Sequence, residues 1–153
     1  MKHLVLAVAA LTAIVSTAAA QNRPAAADTI RMRQANYKQM GGAMHAITEQ
    51  LRSDSPSIDA IRASSRTIVG HAANVLRWFP RGTGAEAAVP TRARPEIWSD
   101  HAGFTRAGAG LLVAARTLDA AARRGDFVAI RAAVPGVSRA CSTCHDSYRA
   151  PQH

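Results

Sequence analysis

Cys141-Ser142-Thr143-Cys144-His145-Asp146-Ser147-Tyr148-Arg149 lies close to the end of a 153-residue chain and holds its only two cysteines. The sequence around it reads as helix, rich in Ala, Leu, Ile and Arg and poor in the alternating β-branched pattern of strands. On a helix, residues three and four apart share a face. Cys141 and Cys144 therefore point the same way, and His145, four residues after Cys141, joins them.

Three chemistries use such a pair. A redox-active disulfide needs the C-x-x-C at the start of a helix that follows a strand, and no strand pattern is present. A zinc site needs four ligands, and this motif supplies at most three. The order C-x-x-C-H is that of covalent c-type haem attachment: each thiol adds to one vinyl group and the histidine binds the iron. One haem c per chain is expected, with Cys141 and Cys144 as attachment points and His145 as axial ligand.

The N-terminus agrees with this chemistry, which bacteria carry out outside the cytoplasm. Lys2 and His3 precede an apolar run of twelve residues, Leu4–Val15, and Ala18-Ala19-Ala20 offers a small-residue cleavage site. This is the layout of a secretory signal peptide over residues 1–20. Residues 21–153 are then the mature, periplasmic domain. The apolar run is too short to span a bilayer, which needs about 20 residues, and no later stretch is long and apolar enough, so no stable membrane insertion is expected. The full chain carries a formal charge of +9. Such a balance suits an acidic redox partner. Nucleic acid is not expected, because the chain is exported and its basic residues are scattered.

Four helices follow from periodicity. Asp28 is read as the N-cap of the first, in which Arg33, Tyr37, Met40, Met44, Ile47 and Leu51 recur at spacings of four and three, a bundle seam. Gly41-Gly42 within it suggests close approach of a helix or a flat ligand. A second helix is predicted from about Ser57 to Phe79, ended by Pro80. A third runs from about Pro95 to Arg124, with Gly103, Gly108 and Gly110 marking tight packing. Gly125-Asp126 stops it and caps a fourth, from about Asp126 to Arg149, which Pro135-Gly136 should kink or interrupt. The fold class is all-α: an antiparallel up-down four-helix bundle with covalent haem near the C-terminus.

A terminal haem motif on the last helix of a bundle resembles the cytochrome c-prime family, the class II cytochromes c. Arg33-Gln34-Ala35-Asn36-Tyr37-Lys38-Gln39-Met40-Gly41 is similar to the family's first-helix pattern. Thr91-Arg92-Ala93-Arg94-Pro95-Glu96-Ile97-Trp98 is similar to the start of its third helix, and the C-x-x-C-H-x-x-Y-R ending to its terminal signature.

The resemblance implies roles for further residues. Tyr37, four after Arg33, falls where the family places a bulky residue over the distal face of the haem, which implies a five-coordinate, high-spin iron open to nitric oxide or carbon monoxide. Arg33 falls where the family pairs an arginine with a haem propionate, and a homodimer is also implied. From helical spacing, Arg149 shares a face with His145 and Tyr148 packs the haem edge, both on the proximal side, while Trp78 and Phe79 are candidates to line the pocket. The alternative is a six-coordinate electron carrier ligated by Met40 or Met44 on the Tyr37 face. His45, beside that face, and His71 and His101, on or near polar faces, are further possible ligands. An enzyme would want an acid/base pair near the iron. No histidine or carboxylate falls on the Tyr37 stripe, so the chain is read as a binding and redox protein, not an enzyme.

Overall fold

The computed structural model describes the backbone of residues 5–87 and 89–151, and the side chains of 25–87 and 89–151. The leader expected over residues 1–20, with its cleavage point, lies outside the fully described residues. Four long helices, α1 (Val5–Arg52), α2 (Ile58–Ala72), α4 (His101–Arg124) and α5 (Phe127–Tyr148), form an antiparallel up-down bundle. A single-turn helix, α3 (Glu96–Ser99), precedes α4, and the 3-10 turns Val75–Trp78 and Ala85–Ala87 lie in the α2–α3 connection.

The bundle follows from seams of apolar residues. On α4, Phe104, Gly108, Leu111, Ala115, Leu118 and Ala122 are buried, a four-three alternation that keeps one stripe inward. On α1 the buried stripe is Ile30, Met40, Ala43 and Ile47; on α2 it is Ile61, Ser65, Ile68 and Ala72. The α2–α4 seam also holds a polar pair: Ser65 Oγ donates to Asp119 Oδ1 at 2.8 Å, and Asp119 pairs with Arg123 at 2.7 Å.

Several boundaries differ from the sequence expectation. Asp28 does not cap α1. It sits inside the helix, exposed and paired with Arg31, because Ala25–Ala27 before it are good helix formers. The second helix ends at Ala72, not Phe79: Asn74 donates its side-chain amide to the Gly70 carbonyl at 2.8 Å, and the chain tightens into the 3-10 turn. The third predicted helix is broken at Asp100, whose φ of −107° and ψ of 58° are not helical. Its carboxylate accepts from Gly103 N–H at 3.0 Å and starts α4 as an N-cap. The second helix starts close to Ser57 as expected, with Ser57 as its N-cap, and Gly125 ends α4 at φ 70° while Asp126 caps α5, both as expected.

Pro135 does not interrupt α5, which is one helix from Phe127 to Tyr148. Both Pro135 and Arg131, whose carbonyl loses the proline's missing donor, face solvent, so water can satisfy that carbonyl. The glycines divide. A Cβ at Gly103 would collide with Asp100 and Tyr148, and one at Gly108 would come within 2.8 Å of Leu76 Cδ2. At Gly41, Gly42 and Gly110 a Cβ meets nothing within 4 Å, so tight packing does not explain those three.

Candidate functional site

A cleft of about 690 Å³ opens between α1, α4 and α5. The α5 wall brings Cys141, Cys144 and His145 to it, and α1 contributes Arg33, Tyr37, Met40, Met44 and His45. Both thiols are free and half-buried. Burial pushes both thiols above their ordinary pKa, that of Cys144 to about 11, with Cys141 beside it as the next cause. Burial, then the charges of Arg149 and Arg92, holds the His145 imidazole below its usual pKa. A neutral imidazole is the form that binds a metal.

On the opposite wall Tyr37 is wedged among aromatic rings. Its ring meets Trp78 edge-on with centroids 5.2 Å apart and tilts against Phe79 at 6.3 Å. Burial, reinforced by Cys144, raises the phenol's pKa above its ordinary value, so it stays neutral at physiological pH. The aromatic contacts continue from Phe79 to Phe104 at 5.1 Å and from Phe104 to Tyr148 at 5.2 Å. A packed row of rings thus joins α1 to the end of α5.

Arg33 is only 2% exposed. Its guanidinium donates to Thr83 Oγ1 at 2.9 Å, Thr83 O at 2.7 Å and Thr91 Oγ1 at 2.6 Å, and lies 4.6 Å from the centre of the Phe79 ring. Every one of these acceptors is neutral. Among the described residues no carboxylate forms a close ion pair with it, and Glu86 acts on it only as a more distant charge; a buried cation is costly unless an anion joins it, and the cleft beside it has room for an anionic group.

Tyr148 borders the cleft, and its hydroxyl donates to Asp100 Oδ2 at 2.8 Å. That bond ties the end of α5 to the start of α4. Asp100 carried no role in the sequence reading, although its position before Gly103 is a cap signal. Arg149 departs from expectation. It lies just past α5 in extended conformation, φ −122° and ψ 124°, bridged to Ala93, so it does not share a helical face with His145. Its side chain nonetheless reaches the cleft beside the imidazole. Phe79 lines the cleft, whereas Trp78 stands behind Tyr37. His71 is engaged with Gln39 and Trp78, away from the cleft. His45, expected beside the seam, does reach it.

Residues 28–149 match the sequence model of the family described as Cytochrome C'. The chain belongs to the cytochrome c' family. It is similar to cytochrome c' of Rubrivivax gelatinosus, 31% identical over 122 residues that cover 80% of this chain and 94% of the relative. The fold is similar to the crystal structure of cytochrome c' from Thermochromatium tepidum, with a TM-score of 0.75, 31% identity and coverage of 82% of this chain and 97% of the other. It is also similar to a nitric oxide complex of a cytochrome c prime variant from Alcaligenes xylosoxidans, with a TM-score of 0.73, 30% identity and coverage of 82% and 95%.

Cytochromes c' carry covalently attached haem c, and the cofactor of this chain is the same. The residues present fit that group. The cleft is in the size range of cofactor sites, two free thiols and a neutral imidazole share one wall, and a buried guanidinium with no close ion pair among the described residues borders it. Among the described residues no helix is long and apolar enough to cross a membrane.

Proposed function

We propose that this cytochrome c' is a periplasmic gas-binding haem protein with a five-coordinate iron, and not an enzyme. Cys141 and Cys144 hold the haem through thioether bonds, His145 binds the iron, and Arg33 pairs with a propionate. Tyr37 stands over the opposite side of the haem, with Tyr148 and Arg149 on the proximal side. The observation that carries this reading is the pairing of walls across one cleft: the two thiols and His145 on α5, and the ring-wedged, neutral Tyr37 on α1. Bound haem supplies a coordination position for small diatomic molecules and a one-electron couple. The chain supplies the rest. Tyr37 and the apolar wall around it exclude large ligands and water, and a neutral phenol is too weak a ligand to close the iron.

The nitric oxide complex of the Alcaligenes relative supports nitric oxide as a ligand. The leader-like first twenty residues support export, the net positive charge suits an acidic redox partner, and a homodimer is carried over from the family. A second reading, a six-coordinate electron carrier, draws on Met40 and Met44, which both line the cleft. A visible spectrum of the reduced, haem-loaded protein before and after adding carbon monoxide separates the two. Broad high-spin bands that shift with the gas support the open iron. Sharp low-spin bands indifferent to it support a methionine ligand and overturn the first reading.

A further inference from the structure

The outward side of the α4–α5 pair carries a charge pattern that the haem site does not use. Along α4, Arg106, Val113, Thr117, Ala120 and Arg124 recur at spacings of seven, four, three and four, and all are exposed. Along α5, Val128, Ala132, Pro135 and Arg139 recur at four, three and four, again all exposed. Arg116 flanks the α4 stripe. The two helices are joined through Gly125-Asp126 and pack as antiparallel neighbours, so the stripes lie side by side. Val128, 81% exposed, and Val113, 64% exposed, are the most exposed large apolar side chains among the described residues. Free acidic groups are missing from this surface. No exposed position of α4 holds a carboxylate. Asp119 is buried and taken by Ser65 and Arg123, Asp126 accepts from the Ala129 N–H as the α5 cap, and Asp146 lies two turns beyond Arg139. Arg123 pairs with Asp119 and Arg131 donates to the Leu51 carbonyl, whereas Arg116, Arg124 and Arg139 have no such partner among the described residues. On α1 and α2 the exposed carboxylates Asp28, Glu49 and Asp59 each pair with an arginine.

We propose that the α4–α5 face docks the protein reversibly on a bilayer surface of anionic phospholipid headgroups, without insertion. Charge complementarity requires a negative partner, and the layout of the face selects a bilayer over an acidic protein. Specific protein interfaces concentrate binding in aromatic and arginine anchors seated in pockets, and this face has no exposed aromatic side chain. Its arginines are spread over about 27 Å of α4, with small residues between them. A bilayer needs only that: each cation near anionic headgroups contributes separately, and exposed apolar side chains reach the headgroup boundary. Cys141, Cys144 and His145 face the cleft on the other side of α5, so docking leaves the haem site uncovered.

The test uses the haem-loaded protein and co-sedimentation with vesicles of phosphatidylglycerol and phosphatidylcholine, set against vesicles of phosphatidylcholine alone. One variant combines Arg116→Gln, Arg124→Gln and Arg139→Gln. A control of equal charge combines Lys38→Gln, Arg66→Gln and Arg77→Gln, away from the α4–α5 face. All six side chains are exposed, so both variants keep the fold, which circular dichroism verifies. The unaltered protein should bind the anionic vesicles, bind them more weakly as salt rises, and ignore the neutral ones. The face variant should bind roughly 100-fold more weakly, from about 5-fold for each cation at an anionic surface, with a much smaller loss in the control. Equal losses in the two variants would reveal a response to net charge alone and overturn the assignment to this face. Failure of the unaltered protein to bind anionic vesicles at physiological salt would overturn the lipid reading. Capture by immobilised polyglutamate through the same three arginines, without vesicle binding, would overturn it in favour of an acidic protein.

Discussion

Phe104 is where the structure makes its sharpest energetic demand. It is 3% exposed and stands edge-on between Phe79, at 5.1 Å, and Tyr148, at 5.2 Å. The ring therefore links the residue behind Arg33 and beside Tyr37 to a residue three positions past His145. Truncating a core Phe to Ala costs about 3–5 kcal/mol from lost transfer energy and the cavity left behind. The two ring contacts, about 0.5–1.5 kcal/mol each, place this site in the middle of that range rather than at its foot. One side of the ring borders the cleft, which softens the cavity penalty, so the expected loss is about 4 kcal/mol. That is a large share of a typical total of about 5–15 kcal/mol. For a domain of this size it lowers the melting midpoint by about 12–20 °C. Phe104→Leu keeps most of the volume and loses both ring contacts, for about 1–2.5 kcal/mol. The assay is guanidinium unfolding of the haem-loaded protein followed by far-ultraviolet circular dichroism, with all three proteins compared at one pH. A loss below about 1.5 kcal/mol in Phe104→Ala would refute the argument that this row of rings binds the two walls of the cleft together.

Two further outcomes follow from α4 and its cap. Gly110→Ala places a methyl in open space and should stabilise the protein by about 0.5–1 kcal/mol, whereas Gly103→Ala should destabilise it despite the same gain in helix propensity, because its Cβ displaces Asp100 and the Tyr148 hydroxyl; thermal melts of the two variants check the opposite signs. The hydrogen bond from Tyr148, followed by that from Gly103 N–H, depresses the Asp100 carboxyl pKa, so its contribution to stability is complete above the ordinary value of about 3.9 and is lost as pH falls through the lower folded value. Tyr148→Phe should move the Asp100 carboxyl resonance to titrate at higher pH and flatten the acid limb of the stability curve, and an unchanged titration would show that the bond does not form in solution.

The helical class, the Asp126 cap and the Gly125 stop were legible because each is a local matter: a periodic apolar stripe, or a side chain reaching a backbone N–H three residues on. The thiols and imidazole of the haem motif were legible for the same reason, since five consecutive residues carry their own geometry on a helix. Boundaries that depend on competition between local signals were not. Asp28 looks like a cap, but the alanines before it let the helix continue. Pro95 does start a helix, the single-turn α3, but Asp100 breaks it and begins α4, its carboxylate held by Gly103 N–H and from the far side by Tyr148. Pro135 reads as a break, and only its exposure explains why the helix runs through.

The sequence by itself determined that four amphipathic helices must pack their stripes together, and that two cysteines and a histidine share a face near the C-terminus; nearest-neighbour spacing suffices for both. The tertiary structure alone decided what stands opposite that face. Tyr37 and Cys144 are more than a hundred residues apart, and which helices adjoin depends on burial summed over the whole bundle. It also decided that Arg33 is buried against Thr83 and Thr91 rather than in a close ion pair, that Arg149 leaves the helix before reaching the cleft, and that Tyr37 is wedged between Trp78 and Phe79. Each is a question of which groups meet, and the answer is set by distant parts of the chain.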